Sequence, residues 1–216
     1  WKDNNNRDNV RPKSIKIHLL ADGEPALDEA GQAIQPITVT GNNTVDTWNY
    51  AFTKLPKHRA VKAGDTIKKA EPITYTVKEE IAKEDEAANY EIAEDVMNVT
   101  NTRPIEKVSL KGTKTWADFN NRDGKRPESI KVYLLADGQP ALDENGKEIK
   151  PVTVKDAKTA DTWNYEFKDV PKHRAVKAGD TIEKATPINY TIKEEVSKKL
   201  INEEYVIKED GMNVTN

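Results

Sequence analysis

A chain that repeats itself at a fixed offset is confined to tandem copies of one unit. Residues 1–29, WKDNNNRDNVRPKSIKIHLLADGEPALDE, return at 116–144 as WADFNNRDGKRPESIKVYLLADGQPALDE. DTWNYAF at 46–52 returns as DTWNYEF at 161–167, PKHRAVKAGDTI at 56–67 returns unchanged at 171–182, and MNVTN closes both copies. Aligned without a gap, 1–101 against 116–216, the copies share 64 of 101 positions. The expected organisation is a first domain over 1–101, a short linker over 102–107 and a second domain over 108–216. The residues that would match 108–115 precede Trp1, so the first domain is expected to have its first strand missing or truncated. Pro104 makes the link semi-rigid. Each repeat is thus expected to have neighbouring repeats of the same protein as its partners, in an extended array.

Within a copy the hydrophobic period is two, which is the period of a strand. SIKVYLLADG alternates and ends on Asp137-Gly138, a turn pair. TWNYEF sets Trp163, Tyr165 and Phe167 on one face, and INYTIKEE does the same with Ile188, Tyr190 and Ile192. MNVTN alternates Met212 and Val214 with Asn213 and Thr215. Only EEVSKKLINEEY (194–205) offers a short helix or a loop. Short strands separated by polar turns predict an all-β chain of two tandem β-sandwich domains.

The composition narrows the function. Thirty-four Lys and Arg stand against 37 Asp and Glu, interspersed, for a net charge of -3. That balance gives no electrostatic basis for nucleic acid. There is no cysteine, hence neither a disulfide framework nor a thiolate metal site. No apolar run has the length of a membrane span, and no signal peptide is visible, so neither membrane insertion nor an export leader is read from this stretch. A fragment of a longer secreted protein is the expected setting.

Three alternations run one step too far. VSLKGTKTW places Val108, Leu110, Gly112 and Trp116 on one face, and Lys114 sits among them. After Ile188, Tyr190 and Ile192 comes Glu194; after Met212 and Val214 comes Asn216. A lysine, a glutamate and an asparagine therefore extend core-facing series on three strands. Burying any one alone costs several kcal/mol, about, unless it is paired or neutralised. All three are accommodated if they meet. Burial lowers a lysine pKa and raises that of a glutamate. A proton can then pass from Lys114 to Glu194, leaving a nucleophilic amine, and the protonated acid can donate to the Asn216 carbonyl. Attack on the amide carbon with loss of ammonia would join Lys114 to Asn216. The same pattern also fits an unreactive buried Lys–Glu ion pair with an asparagine hydrogen bond, or strand ends that leave the core.

GTKTWADFNNRDGKRPESIKVYLLADG, WNYEFKDVPK, YTIKEE and a closing NVTN, in that order, resemble the B-type domains of Gram-positive collagen adhesins (Cna B-type), which also occur in pilins and other wall-anchored proteins. The resemblance covers the second copy and the first from Trp1 onward. It implies a prealbumin-like, inverse-immunoglobulin β-sandwich serving as a stalk, outside the cell and anchored to its wall. It also implies a self-formed Lys–Asn isopeptide bond assisted by a buried acid. The matching positions are Lys114, Glu194 and Asn216 in copy two. In copy one they are Glu79 for the acid and Asn101 for the asparagine, with no lysine in the chain to partner Asn101. Segments 139–152 and 172–187, like 24–37 and 57–72, make longer loops than a minimal member has.

Other candidates carry less. DFNNRDGKR (118–126) has Arg122 and Ser129 where a calcium loop needs ligands, and reads as a polar turn. His58 and His173 are equivalent repeat positions and read as surface residues, and His18 is replaced by Tyr133; no second ligand stands at metal-binding spacing. Trp48 and Trp163 read as core or partly buried, with a carbohydrate platform as the other option. NNT at 42–44 and NVT at 98–100 and 213–215 are weak glycosylation triplets. No cofactor site is legible. The leading expectation is a structural stalk repeat with single-turnover self-cross-linking, not a turnover enzyme, the host ligand being bound by another region. The alternative is a module that itself binds host matrix protein or glycan.

Overall fold

The computed structural model describes the chain except residues 43, 44, 62, 65, 67–69, 177–182, 196 and 198–201, and the side chains of 84 and 87. The chain divides into two compact units, with the main division between Pro104 and Ile105. Fourteen strands are described, and one 3₁₀ turn, Lys83–Ala88. That turn falls in the first copy's equivalent of 194–205. Part of 194–205 itself lies outside the described residues.

In unit 2 the strands are β7 (Lys107–Thr115), β8 (Ile130–Ala136), β9 (Gln139–Pro140), β10 (Val152–Val154), β11 (Thr162–Pro171), β12 (Tyr190–Glu194), β13 (Lys208–Asp210) and β14 (Asn213–Thr215). They form two sheets. One has the order β11-β7-β14-β13; in the other β8 lies between β10 and β12, with β9 paired to its end. The β8–β9 turn is Asp137-Gly138, both at positive φ (52° and 80°), as a two-residue hairpin turn of the primed type requires. Trp163, Tyr165, Phe167 and Val214 of one sheet meet Ile130, Val132, Leu134 and Ile192 of the other in a single buried cluster. This is the expected sandwich, with the alternation placing the apolar faces inward.

Unit 1 has β1 (Ser14–Ala21), β2 (Glu24–Pro25), β3 (Ile37–Thr40), β4 (Tyr75–Glu80), β5 (Glu91–Asp95) and β6 (Asn98–Thr102). β1 lies between β3 and β4, and β5 pairs with β6. Ile15, Ile17, Leu19, Val39 and Val77 form its core. β6 ends at Thr102 and β7 begins at Lys107, so 103–106 are the residues outside strands between the units. One expectation from the repeat fails. TWNYAF, unlike TWNYEF, forms no strand. β11 takes its hydrogen bonds from β7, Tyr165 opposite Gly112, whereas residues 47–52 pair with no described strand. A strand without a ladder partner has nowhere to place its backbone groups.

β14 runs parallel to β7, with Asn213 beside Thr113, Val214 beside Lys114 and Thr215 beside Thr115. Gly112 makes the approach possible. A Cβ there would stand 2.1 Å from the Met212 carbonyl oxygen and 2.5 Å from Tyr165 Cζ. The Tyr165 ring instead crosses the strand at Gly112 and its hydroxyl donates to the Met212 carbonyl at 2.5 Å. Since the Met212 carbonyl is backbone, an added methyl must push β14 away from β7. Gly112→Ala is expected to destabilise unit 2 by about 1–3 kcal/mol, read as a lower urea midpoint.

Candidate functional site

Strand alternation puts the side chains of Lys114 and Val214 on the inner face of their sheet, and Asn216, two residues beyond Val214, returns to that face. The Asn216 backbone is held on both sides: its N–H donates to Thr115 O at 3.0 Å, and its carbonyl accepts from Ala117 N–H at 2.7 Å. Glu194 comes from the facing sheet, at the end of β12 opposite Val132. The three polar residues named by the alternation therefore converge. Lys114 is 0% exposed, Glu194 1% and Asn216 7%. The strand ends do not leave the core.

Lys114 Nζ lies 3.7 Å from Glu194 Oε2, an ion-pair distance too long for a hydrogen bond. Nζ donates instead to the Thr115 carbonyl at 3.2 Å and sits 4.0 Å from the centre of the Trp116 ring. Asn216 Nδ2 donates to Glu194 Oε1 at 3.0 Å. The amide thus presents its nitrogen to the acid, the reverse of the expected donation from Glu194 to the Asn216 carbonyl. Glu194 Oε2 and Asn216 Oδ1 are buried and without a hydrogen bond.

Burial dominates the electrostatics. It brings the Lys114 amine down to about 8, against the opposing pull of the Glu194 charge. It raises the Glu194 carboxyl, although Lys114 and the Asn216 amide both favour its charged form. Both shifts run opposite to what ion pairing alone produces, because each charge has lost its water and neither has gained a close hydrogen-bonded counter-ion. Both shifts narrow the gap that holds the proton on the amine.

Unit 1 repeats the acid–amide half. Asn101 Nδ2 donates to Glu79 Oε1 at 2.9 Å, both residues are buried, and burial raises the Glu79 carboxyl. Glu79 Oε2 and Asn101 Oδ1 have no hydrogen bond, as in unit 2.

Two groups around the site escaped the sequence reading. Arg126, 0% exposed, stands 5.2 Å from the Trp116 ring centre and pairs with Asp118 and, at 2.9 Å, with Asp161. It also donates to the carbonyls of Lys158 and Ala160 at 2.8 and 2.9 Å. The Arg126 guanidinium brings Asp118 down to about 2, and Tyr205 donates to the same carboxylate at 2.8 Å. The polar turn DFNNRDGKR is therefore the mount of a buried arginine, with Phe119, Asn120 and Asn121 all at positive φ. The clue lay in the repeat: Asp3, Arg11, Asp46 and Tyr90 make the equivalent contacts in unit 1. The second group, Glu209, accepts the Glu194 backbone N–H at 2.7 Å.

The remaining candidates sort simply. Trp163 is fully buried and Trp48 half-buried. His58 is exposed, whereas His173 is 7% exposed and so is not the expected surface residue; its backbone bridges Pro187. His18 contacts Glu80 at 2.8 Å. Among the described residues no cluster of His, Asp and Glu could hold a metal.

An Asn216→Ala chain, which cannot be joined at this site, exposes the Lys114 shift to measurement. The Lys114 amine is expected to titrate near 8 by NMR of its Cε. Between about pH 8 and 10.5 the unfolded chain still binds the proton that folded Lys114 has released. Over that range unit 2 should gain stability as pH rises, relative to a Lys114→Met, Asn216→Ala chain.

The Cna protein B-type domain family matches residues 1–102 and 110–216. Over 218 aligned residues the chain is 33% identical to a collagen adhesin of Staphylococcus aureus, covering all of this chain and 15% of that protein. The crystal structure of two B repeat units (B1B2) of the collagen binding protein of S. aureus aligns with all of this chain and 46% of its own, at 31% identity and a TM-score of 0.61. The two units, on sequence and on fold, belong to the Cna protein B-type domain family.

Proposed function

We propose that the chain is a spacer segment of a cell-surface adhesin, in which unit 2 locks itself with an isopeptide bond between Lys114 and Asn216. The observation that carries this reading is the meeting of Lys114, Glu194 and Asn216 in one buried site, at 3.7 and 3.0 Å. Glu194 takes a proton from Lys114. The neutral Nζ attacks Asn216 Cγ, and the bond from Cγ to Nδ2 breaks. Glu194 Oε1 already contacts Nδ2, so the acid stands beside the nitrogen that departs and can return the proton to it. As the amide forms, Nζ gives up its second proton to Glu194, so the products are one amide bond, one ammonia and a protonated acid whose proton the departing ammonia or solvent can take. Holding the partners in a rigid core replaces a bimolecular encounter and supplies much of the rate. The step happens once per chain, so the unit is not a turnover enzyme.

The placement of the bond suits a load-bearing role. β7 and β14 are the first and last strands of unit 2 and lie side by side. A load entering at one and leaving at the other would cross a covalent amide rather than the hydrogen-bonded core. Closing the ring from 114 to 216 restricts the unfolded chain as a disulfide would, a stabilisation of about 5 kcal/mol by that analogy. An amide, unlike a disulfide, is not reducible. The similarity to a collagen adhesin supports an extracellular, wall-attached setting, with host ligand bound elsewhere in the parent protein.

Intact mass tests the reading. The folded chain is expected to weigh one ammonia less than its sequence, and Lys114→Ala or Glu194→Ala to restore the full mass. Peptide mapping should place the loss at Asn216. A full mass for the folded unchanged chain sinks the proposal.

A further inference from the structure

We propose that Glu209 is a positioning residue for the cross-linking step: from the edge strand β13 it accepts the Glu194 backbone N–H across the open rim of the sandwich and sets a fixed negative charge behind the carboxyl that must hold the proton. This inference rests on the cross-linking reading and identifies a further residue for it.

Both β12 and β13 are edge strands, one in each sheet, and their neighbouring edges face each other. An edge strand has backbone N–H groups with no ladder partner. Two such groups of β12 find acceptors on the segment that carries β13. The Ile192 N–H is taken by the Gly211 carbonyl at 3.3 Å, and that of Glu194 by Glu209 Oε1 at 2.7 Å. Glu209 is placed for this by register. It lies opposite Val214, which lies beside Lys114, so the three share one row and one face of the sheet. Unit 1 carries the same pair: the Val96 carbonyl takes the Val77 N–H at 2.9 Å, and Glu94 Oε1 takes that of Glu79 at 2.8 Å. Glu94 lies opposite Val99, as Glu209 lies opposite Val214.

A neutral side chain could fill the same hydrogen bond, so the charge needs its own reason. Lys114 and Glu194 share one proton in two ways. With the proton on the amine they are an ion pair and inert; with it on the carboxyl they are a nucleophile and an acid. A negative charge next to Glu194 disfavours the ion pair. Glu209 repels the ionised form of Glu194, whose backbone it contacts directly, whereas Val214 stands between it and Lys114 in the row. The other groups facing Glu194 do not reproduce the effect. Asn216 is neutral, and the Tyr165 hydroxyl on β11 is held up at about 12, so it carries no charge in the working range. On β8 Val132 is opposite, and Lys131 points to Glu195 at 3.2 Å.

Glu209→Gln keeps an oxygen acceptor for the Glu194 N–H and removes the charge. The unchanged chain and this variant would be recovered unfolded in urea, refolded at pH 5 to 9, and followed by intact mass with time. The expected result is folding of both, with ammonia loss in Glu209→Gln slower at neutral pH by about threefold, the effect of half a pH unit on one proton equilibrium. The acid limb of its rate profile should also move to lower pH, because Glu194 then ionises more readily. A purely structural role for Glu209 would leave rate and profile unchanged in the glutamine variant. Salt supplies an arm that needs no substitution. At 1 M the screening length is roughly 3 Å, so the exposed Glu209 charge is damped while the buried pair is not; the unchanged chain should slow in the same direction. If the variant does not fold, the salt arm decides. Ammonia loss that is equally fast in both chains and indifferent to salt overturns this inference alone. No ammonia loss from the folded unchanged chain overturns the cross-linking reading, and this inference with it.

Discussion

In unit 2 the strand that opens the domain and the strand that closes it lie side by side and parallel, and the rest of the site follows from that contact. Parallel neighbours must be joined by a long crossover, and here the crossover is the whole domain. The register sets Val214 beside Lys114 and brings Asn216 back to the same face two residues later. Gly112 and Tyr165 hold the pairing closed, the first by having no side chain and the second by reaching the Met212 carbonyl. A slip by one residue would turn Asn216 to the outside and leave Lys114 facing Glu194 alone.

Burial then sets what the site costs. Lys114 and Glu194 sit where neither charge is solvated, and 3.7 Å apart they compensate one another poorly. An unreactive ion pair would be served by a shorter contact with every lone pair occupied. The arrangement instead leaves Glu194 Oε2 and Asn216 Oδ1 without hydrogen bonds in the core. Around it the protein spends polar groups on rigidity. Arg126 and its two aspartates brace one side of Trp116, and the Lys114 amine rests against the same ring.

The two units make an internal comparison. Unit 1 holds the Glu79–Asn101 pair in nearly the geometry of Glu194–Asn216 without a lysine beside it. The acid–amide contact therefore recurs in both repeats. Tyr50 reaches the Met97 carbonyl at 2.5 Å, as Tyr165 reaches Met212, although the strand that Tyr165 crosses has no counterpart there.

Much of this was legible in the sequence. The offset between Trp1 and Trp116 gave the two copies, the period-two alternation gave strands and their inner faces, and Asp-Gly gave a turn. Three polar residues ending apolar series marked the site, because a pattern of period two says which way each side chain points. The sequence could not say that the three series end at one place, since that depends on the parallel register of β14 and on the distance between two sheets. Nor could it separate Arg126 and Glu209 from the many charges of a surface. Arg126 is buried only because Trp116, Asp118 and Asp161 close over it, and Glu209 reaches Glu194 only because two sheet edges face each other. Alternation, a local property of the chain, was determined by sequence alone. Which polar residues share a core, and which way the Asn216 amide faces, was decided by long-range packing that no local pattern encodes.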